Sequence, residues 1–284
     1  MITKNPMQLK AFIKNKAAEK NISAQLVMQN YMMECLLERI SLSKYQHNFI
    51  LKGGFLISAI VGLDSRTTMD MDTTMKGLTL THESIRSIFT EICNISIEDD
   101  IAFKIVSIAD IRETDDYPGI RVALKANYSP ISVPLSVDIT TGDKITPQEV
   151  KYKYKLLFEE RTIPIIAYNL ETILAEKIET VLSRGIANTR PRDFYDIYIL
   201  HSLRGAECNP AILRKGLDQT ATKRGSIEII PDYKVIIEKI SNSDQMQGFW
   251  EKYQHDFAYA RDISFKIACD TIIRIMTWIE NKNS

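Results

Sequence analysis

The stretch HNFILKGGFLISAIVGLDSRTTMDMDTTM, residues 47–75, decides how this chain folds. The run from His47 to Lys52 reads as a short buried strand; it enters Gly53-Gly54 and then an apolar helix over Phe55 to Val61. Thr67 to Thr74 reads as a second strand, on which alternate side chains share a face. Asp70 and Asp72 are therefore expected side by side, with Met69 and Met71 turned into the core. Two adjacent carboxylates repel unless a cation lies between them, and an all-oxygen ligand set favours Mg2+ or Mn2+. Two exposed aspartates on the solvent face of an edge strand would give the same pattern. Glycine lets a backbone approach a phosphate closely, and the following helix offers N–H groups and a positive dipole end to the same anion. A glycine pair alone also marks an ordinary tight turn.

Upstream, Leu9, Phe12 and Ile13 open an amphipathic helix, and a second starts after Ser23 as N-cap, with Leu26, Val27, Met33, Leu36, Leu37 and Ile40 as its stripe. Downstream, a helix near Ser84 to Cys93 precedes strands over Phe103 to Ile111, Ile120 to Tyr128 and Ile131 to Thr140. In the last of these Val133, Leu135, Val137 and Ile139 line one face, which throws Asp138 to the other with Ser136 and Thr140. Aspartate is disfavoured in strands, so Asp138 needs a compensating partner, either a metal or a neighbouring arginine. The expected fold class is α+β, with N-terminal helices, a mixed or antiparallel sheet and a C-terminal helical lobe. The domain boundary is expected within residues 141–165, dividing the chain into 1–150 and 151–284.

The chain has 284 residues, and its 36 Lys plus Arg balance 36 Asp plus Glu. No global positive field exists to hold long nucleic acid, so any such contact must be a local patch. Cys35, Cys93, Cys208 and Cys269 are scattered without zinc spacing. The N-terminal residues lack a signal-peptide core and no apolar run reaches membrane-spanning length, so a cytoplasmic setting is expected.

Asn169 to Arg184, Pro191 to Leu203, Pro210 to Thr222 and roughly Gly248 to Glu280 carry helical spacing. Lys177 falls within the apolar stripe of Leu170, Ile173, Leu174, Ile178, Val181 and Leu182. A lysine there either snorkels outward or meets an anion such as a triphosphate. In NTRPRDFYDIYIL, Arg190 and Arg192 sit at the positive end of a helix dipole, an arrangement that an anion would relieve. Asp193 and Asp196 share a face with Leu200; an Arg192–Asp196 pair is the structural alternative. Trp250, Tyr253 and Tyr259, with Lys215, Lys223 and Arg224, either shape an acceptor groove or simply pack.

A strand, a Gly-Gly turn, a helix, a DxD strand and a later strand aspartate together resemble the DNA polymerase beta-like nucleotidyltransferase superfamily, although residues 55–69 make a longer spacer than is commonest there. LKGG, RTTMDMD, VDIT, LAEKI and above all RPRDFYDIYIL resemble the AbiEii/AbiGii toxin family over most of the chain. The resemblance implies a polymerase beta-like core and transfer of a nucleoside monophosphate from a nucleoside triphosphate to an acceptor, with the transfer-RNA 3′ end as the leading candidate. A protein or small-molecule hydroxyl, or a nucleotide-binding regulator without catalysis, are the alternatives. It further implies that Asp70, Asp72 and Asp138 hold Mg2+ or Mn2+, that Lys52, Gly53 and Gly54 cradle the triphosphate, and that Lys177 neutralises it. Asp193 would orient Lys177 or contact the nucleotide, and Arg192 and Asp196 would hold their helix. An antitoxin protein and a role in phage defence by abortive infection complete what the resemblance implies.

Overall fold

A computed structural model describes residues 5–111 and 119–281. The chain forms two units, one of residues 1–143 and 150–167, the other of 144–149 and 168–284.

In the first unit, α1 (Pro6–Lys20) starts with proline at its first position and Asn5 as N-cap, accepting from the Gln8 amide. α2 (Ala24–Leu42) is capped by Ser23, as its sequence indicates. Then come β1 (Phe49–Lys52), α3 (Gly53–Val61), β2 (Met71–Met75) and α4 (His82–Cys93), which a Thr81–Ser84 capping box closes. The remaining strands are β3 (Ala102–Ile111), β4 (Gly119–Tyr128), β5 (Ile131–Thr141), β6 (Val150–Lys155) and β7 (Thr162–Ala167). They form one mixed seven-stranded sheet in the order β3-β4-β5-β2-β1-β7-β6. β2 runs parallel to β5 and β1 parallel to β7; the other neighbours are antiparallel. The α+β class with a mixed sheet is thus what the chain adopts.

Several local expectations differ. β6 and most of β7 lie in the charged stretch read as a boundary; VKYKYK and TIPIIA alternate over only six residues each, too short for a clear strand signal. These strands return the chain to the sheet, so the division of the two units differs from a cut at residue 150. Gly53 and Gly54 are the first residues of α3 rather than a turn preceding it. β2 begins at Met71, after Asp70, and Met69 is 45% exposed whereas Met71 is fully buried. Only Met71 contributes to the core, because residues before the strand do not obey its alternation.

The second unit holds α5 (Leu170–Arg184), α6 (Pro191–Arg204), α7 (Pro210–Lys223), α8 (Tyr233–Ser241), α9 (Asp244–Asp256) and α10 (Phe265–Asn281). The long helix expected over 248–280 is two helices, separated by a 3-10 turn at Ala258–Ala260. Trp250 is completely buried against Phe265 and donates its indole N–H to the Ile263 carbonyl at 2.9 Å. Trp250 and Tyr253 are therefore core residues and line no open groove. Among the described residues no helix is long and apolar enough to cross a membrane.

Candidate active site

The sheet lines up four charged residues. Cross-strand register pairs Lys52 of β1 with Asp72 of β2, Asp72 with Asp138 of β5, and Asp138 with Arg121 of β4. Directly paired residues project to the same face, so the row reads lysine, aspartate, aspartate, arginine across four adjacent strands. The carboxylates of Asp72 and Asp138, which sequence patterning placed on separate strands, are brought next to each other.

Asp72 leans on the start of α3. Gly53 has φ +65°, and a Cβ placed on it would lie 2.1 Å from Asp72 Oδ2. Only glycine satisfies both the backbone and the carboxylate at this position. The N-cap residue Lys52 supplies no side-chain hydrogen bond to this helix end, and the Asp72 carboxylate packs against it, at the positive end of the helix dipole. Gly54 packs under Thr68 and the Arg66 guanidinium, both about 3 Å from where its Cβ would be. Arg66 is buried, and its sequence context in RTTMDMD had not marked it for a role of its own.

Lys52 does not extend toward open solvent. Its ammonium donates to Thr140 Oγ1 at 2.7 Å and forms an ion pair with Asp143. Asp143 was missed in the sequence because it lies beyond the strand pattern, in the turn after β5. Arg121 was missed as well. It donates to Asp138 through Nε and a terminal nitrogen, each at 2.7 Å, a two-pronged pairing. Its pKa is raised above the usual arginine value, chiefly by this hydrogen bond and the Asp138 charge, with further contributions from Asp70 and Asp72. Asp70 itself is exposed.

In the second unit, Lys177 of α5 lies between two carboxylates of α6. Its Nζ is 2.5 Å from Asp193 Oδ1 and 2.9 Å from Asp196 Oδ2. Burial alone would lower the Lys177 pKa, but attraction to Asp196 and Asp193 outweighs it and the pKa stands above the usual lysine value. Lys177 is thus paired within its own unit instead of snorkelling. Asp193 Oδ2 is buried without a hydrogen-bond partner. Arg192 is exposed and, among the described residues, forms no ion pair; Asp196 pairs with Lys177. Arg224 pairs with Glu179, so it is engaged inside its unit.

Among the described residues, no group of three or more His, Cys, Asp and Glu side chains is assembled for a metal ion. The expected gathering of Asp70, Asp72 and Asp138 is therefore reduced to two neighbours, with Arg121 on one of them. Mg2+ commonly takes one or two protein carboxylates and completes its shell with waters and substrate phosphates. By that chemistry Asp72 and Asp138, all-oxygen donors beside a glycine-initiated helix, fit such an ion.

Two crystal structures from Helicobacter pylori share this fold: a candidate nucleotidyltransferase (TM-score 0.51, 14% identity, covering 92% of this chain and 97% of the other) and JHP933 (TM-score 0.50, 14% identity, covering 92% and 96%). At that identity the likeness defines the class of fold. Residues 35–271 match the family described as nucleotidyl transferase AbiEii toxin, type IV toxin–antitoxin system, and the chain belongs to that family. No curated protein matches the sequence.

Proposed function

We propose that this chain is the toxin of a type IV toxin–antitoxin pair acting in the cytoplasm in phage defence by abortive infection. In this reading it transfers a nucleoside monophosphate from a nucleoside triphosphate to an acceptor hydroxyl, the 3′ end of a transfer RNA. The observation that carries the reading is the lateral pairing of Asp72 with Asp138 beside the Gly53 start of α3. The helix end would offer N–H donors to phosphate oxygens, and Gly53 leaves room for the Asp72 carboxylate against that end.

The acceptor oxygen forms a bond to the α-phosphorus as the bond from that phosphorus to its bridging oxygen breaks, and pyrophosphate departs with the electron pair. The acceptor proton passes to a carboxylate oxygen of Asp138. Asp72 and Asp138 would hold Mg2+ or Mn2+, which when bound would neutralise charge developing on the phosphoryl oxygens. Gly53 and Gly54 shape the phosphate cradle; Lys52 supports it from beneath through Asp143 and Thr140. Lys177, with Asp193 and Asp196, is proposed as a second charged group needed for transfer, and Arg192 as an exposed cation at the start of α6.

The experiment is transfer of label from an α-phosphate-labelled triphosphate in a cell extract. Asp72→Asn is expected to abolish transfer while circular dichroism stays unchanged; full transfer by that variant defeats the assignment. Label that survives protease but not nuclease supports an RNA acceptor, and the converse result replaces it with a protein.

A further inference from the structure

The metal-facing carboxylate is already occupied by a cation that belongs to the chain. Asp138 is mostly buried, with its side chain 13% exposed, and both of its oxygens are taken by Arg121, whose own side chain is 48% exposed. The strand register holds both residues: β4 and β5 form a tight hairpin whose pairing runs without a shift from Tyr128–Ile131 to Ile120–Ile139, so Arg121 and Asp138 stay opposite each other. What can move is the arginine side chain, which reaches Asp138 from a half-exposed position.

We propose that Arg121 is a positioning residue that holds Asp138 closed to metal, and that a divalent cation binds only by displacing its guanidinium. This rests on the nucleotidyltransferase reading above, in which Asp72 and Asp138 receive the ion. The physical argument is competition for the same lone pairs. A bidentate guanidinium uses both carboxylate oxygens, so a cation that needs either of them must break at least one charge-assisted hydrogen bond. Arg121 also places a full positive charge next to the position a divalent ion would take, and it feels Asp70 and Asp72 as well as Asp138. The same contact sets a positive charge against one of two adjacent carboxylates, Asp138. Arg121 thus stabilises the resting sheet and raises the concentration of metal needed to load it.

The test is Mn2+ binding to the full chain, followed by titration calorimetry or by the paramagnetic signal of the free ion, without nucleotide. Arg121→Gln removes the competing charge and is expected to tighten Mn2+ binding about fivefold to tenfold, given the modest strength of half-exposed ion pairs. Arg121→Lys keeps the charge but loses the two-pronged contact and is expected to fall between; it also serves if Arg121→Gln proves unstable. Unchanged or weaker binding in folded Arg121 variants overturns the proposal. Asp72→Asn separates this from the underlying reading: if that substitution leaves Mn2+ affinity intact in the wild-type and Arg121→Gln backgrounds alike, the metal assignment itself fails, whatever Arg121 does.

Discussion

Replacing Gly53 by alanine tests the placement of Asp72 without altering any ionisable group. The added Cβ would stand 2.1 Å from Asp72 Oδ2 and 2.7 Å from its Cβ and Cγ. Non-bonded carbon contacts settle at about 3.5–4.0 Å, so the carboxylate must withdraw by about 1 Å or more. The backbone adds a separate penalty, because Gly53 has φ +65°, a conformation that costs an L-residue about 1–2 kcal/mol. A reacting group misplaced by about 1 Å can cost about 100-fold in rate. Gly53→Ala is therefore expected to slow single-turnover transfer about 100-fold and to lower the unfolding free energy by about 1–2 kcal/mol. The companion Gly54→Ala isolates the effect: its Cβ would meet Thr68 Oγ1 at 3.0 Å and the Arg66 guanidinium at 3.1 Å, and Gly54 has no positive φ. A few tenths of an ångström of adjustment relieves those contacts, so the rate loss should stay below about tenfold. Measuring both rates and both urea midpoints decides the matter. Wild-type transfer by Gly53→Ala, or equal losses in the two variants, would refute the reasoning.

Three further substitutions read the ionisable groups buried in each unit. Burial pushes the Glu34 carboxyl up to about 8, against the opposing hydrogen bond from the Leu157 amide at 2.8 Å. The folded state thus keeps a proton that the unfolded chain releases near the ordinary value of 4.5, so stability is present below that pH and is lost as pH rises toward about 8. Glu34→Gln should remove this slope of about 1.4 kcal/mol per pH unit, gaining on wild type from pH 5 to 8 in urea unfolding; parallel pH profiles would contradict it. Lys177→Met leaves Asp193 and Asp196 buried without their cation, and the second unit should lose about 3–5 kcal/mol. Adding Asp196→Asn should recover part of that loss in the same unfolding assay, and no recovery would remove Lys177 as the compensating charge.

Much of the first unit was legible because its signals are local. Ser23 as a cap, the alternation of Val133 to Ile139 and the helix that follows the β1 strand each depend on neighbours a few residues away. Asp138 was rightly marked as needing a partner, and both kinds of partner were left open; the structure supplies an arginine. Arg121 could have been found by counting outward from the β4–β5 turn, since the hairpin register that pairs Tyr128 with Ile131 also pairs Arg121 with Asp138. The Lys52–Asp143 contact could not, because it joins residues 91 positions apart and depends on β1 entering the middle of the sheet. β6 was hidden for a related reason: a six-residue strand at the sheet edge buries few side chains, and its lysines read as solvated charge; β7, between β1 and β6, is only six residues long and falls in the stretch read as a boundary. The order of strands, not the existence of most of them, is what sequence periodicity leaves undetermined.

That order determines how the acidic row can work. Lys52 was expected to meet phosphate directly, yet its ammonium is held by Asp143 and Thr140 and its side chain is only 10% exposed. In the proposed reading, a phosphate at the row would draw on the amide groups and dipole at the start of α3 and not on Lys52. Lys52 acts from below, fixing the last residue of β1 and hence the direction in which Gly53 opens the helix. On the opposite flank Arg121 is half-exposed and can swing, whereas Lys52 is enclosed. The two cations that bracket Asp72 and Asp138 are consequently unequal: one holds the cradle in place and the other can release its carboxylate. In the proposed reading, an exchange of Asp138 between guanidinium and metal would proceed without disturbing the glycine-initiated helix against which Asp72 packs.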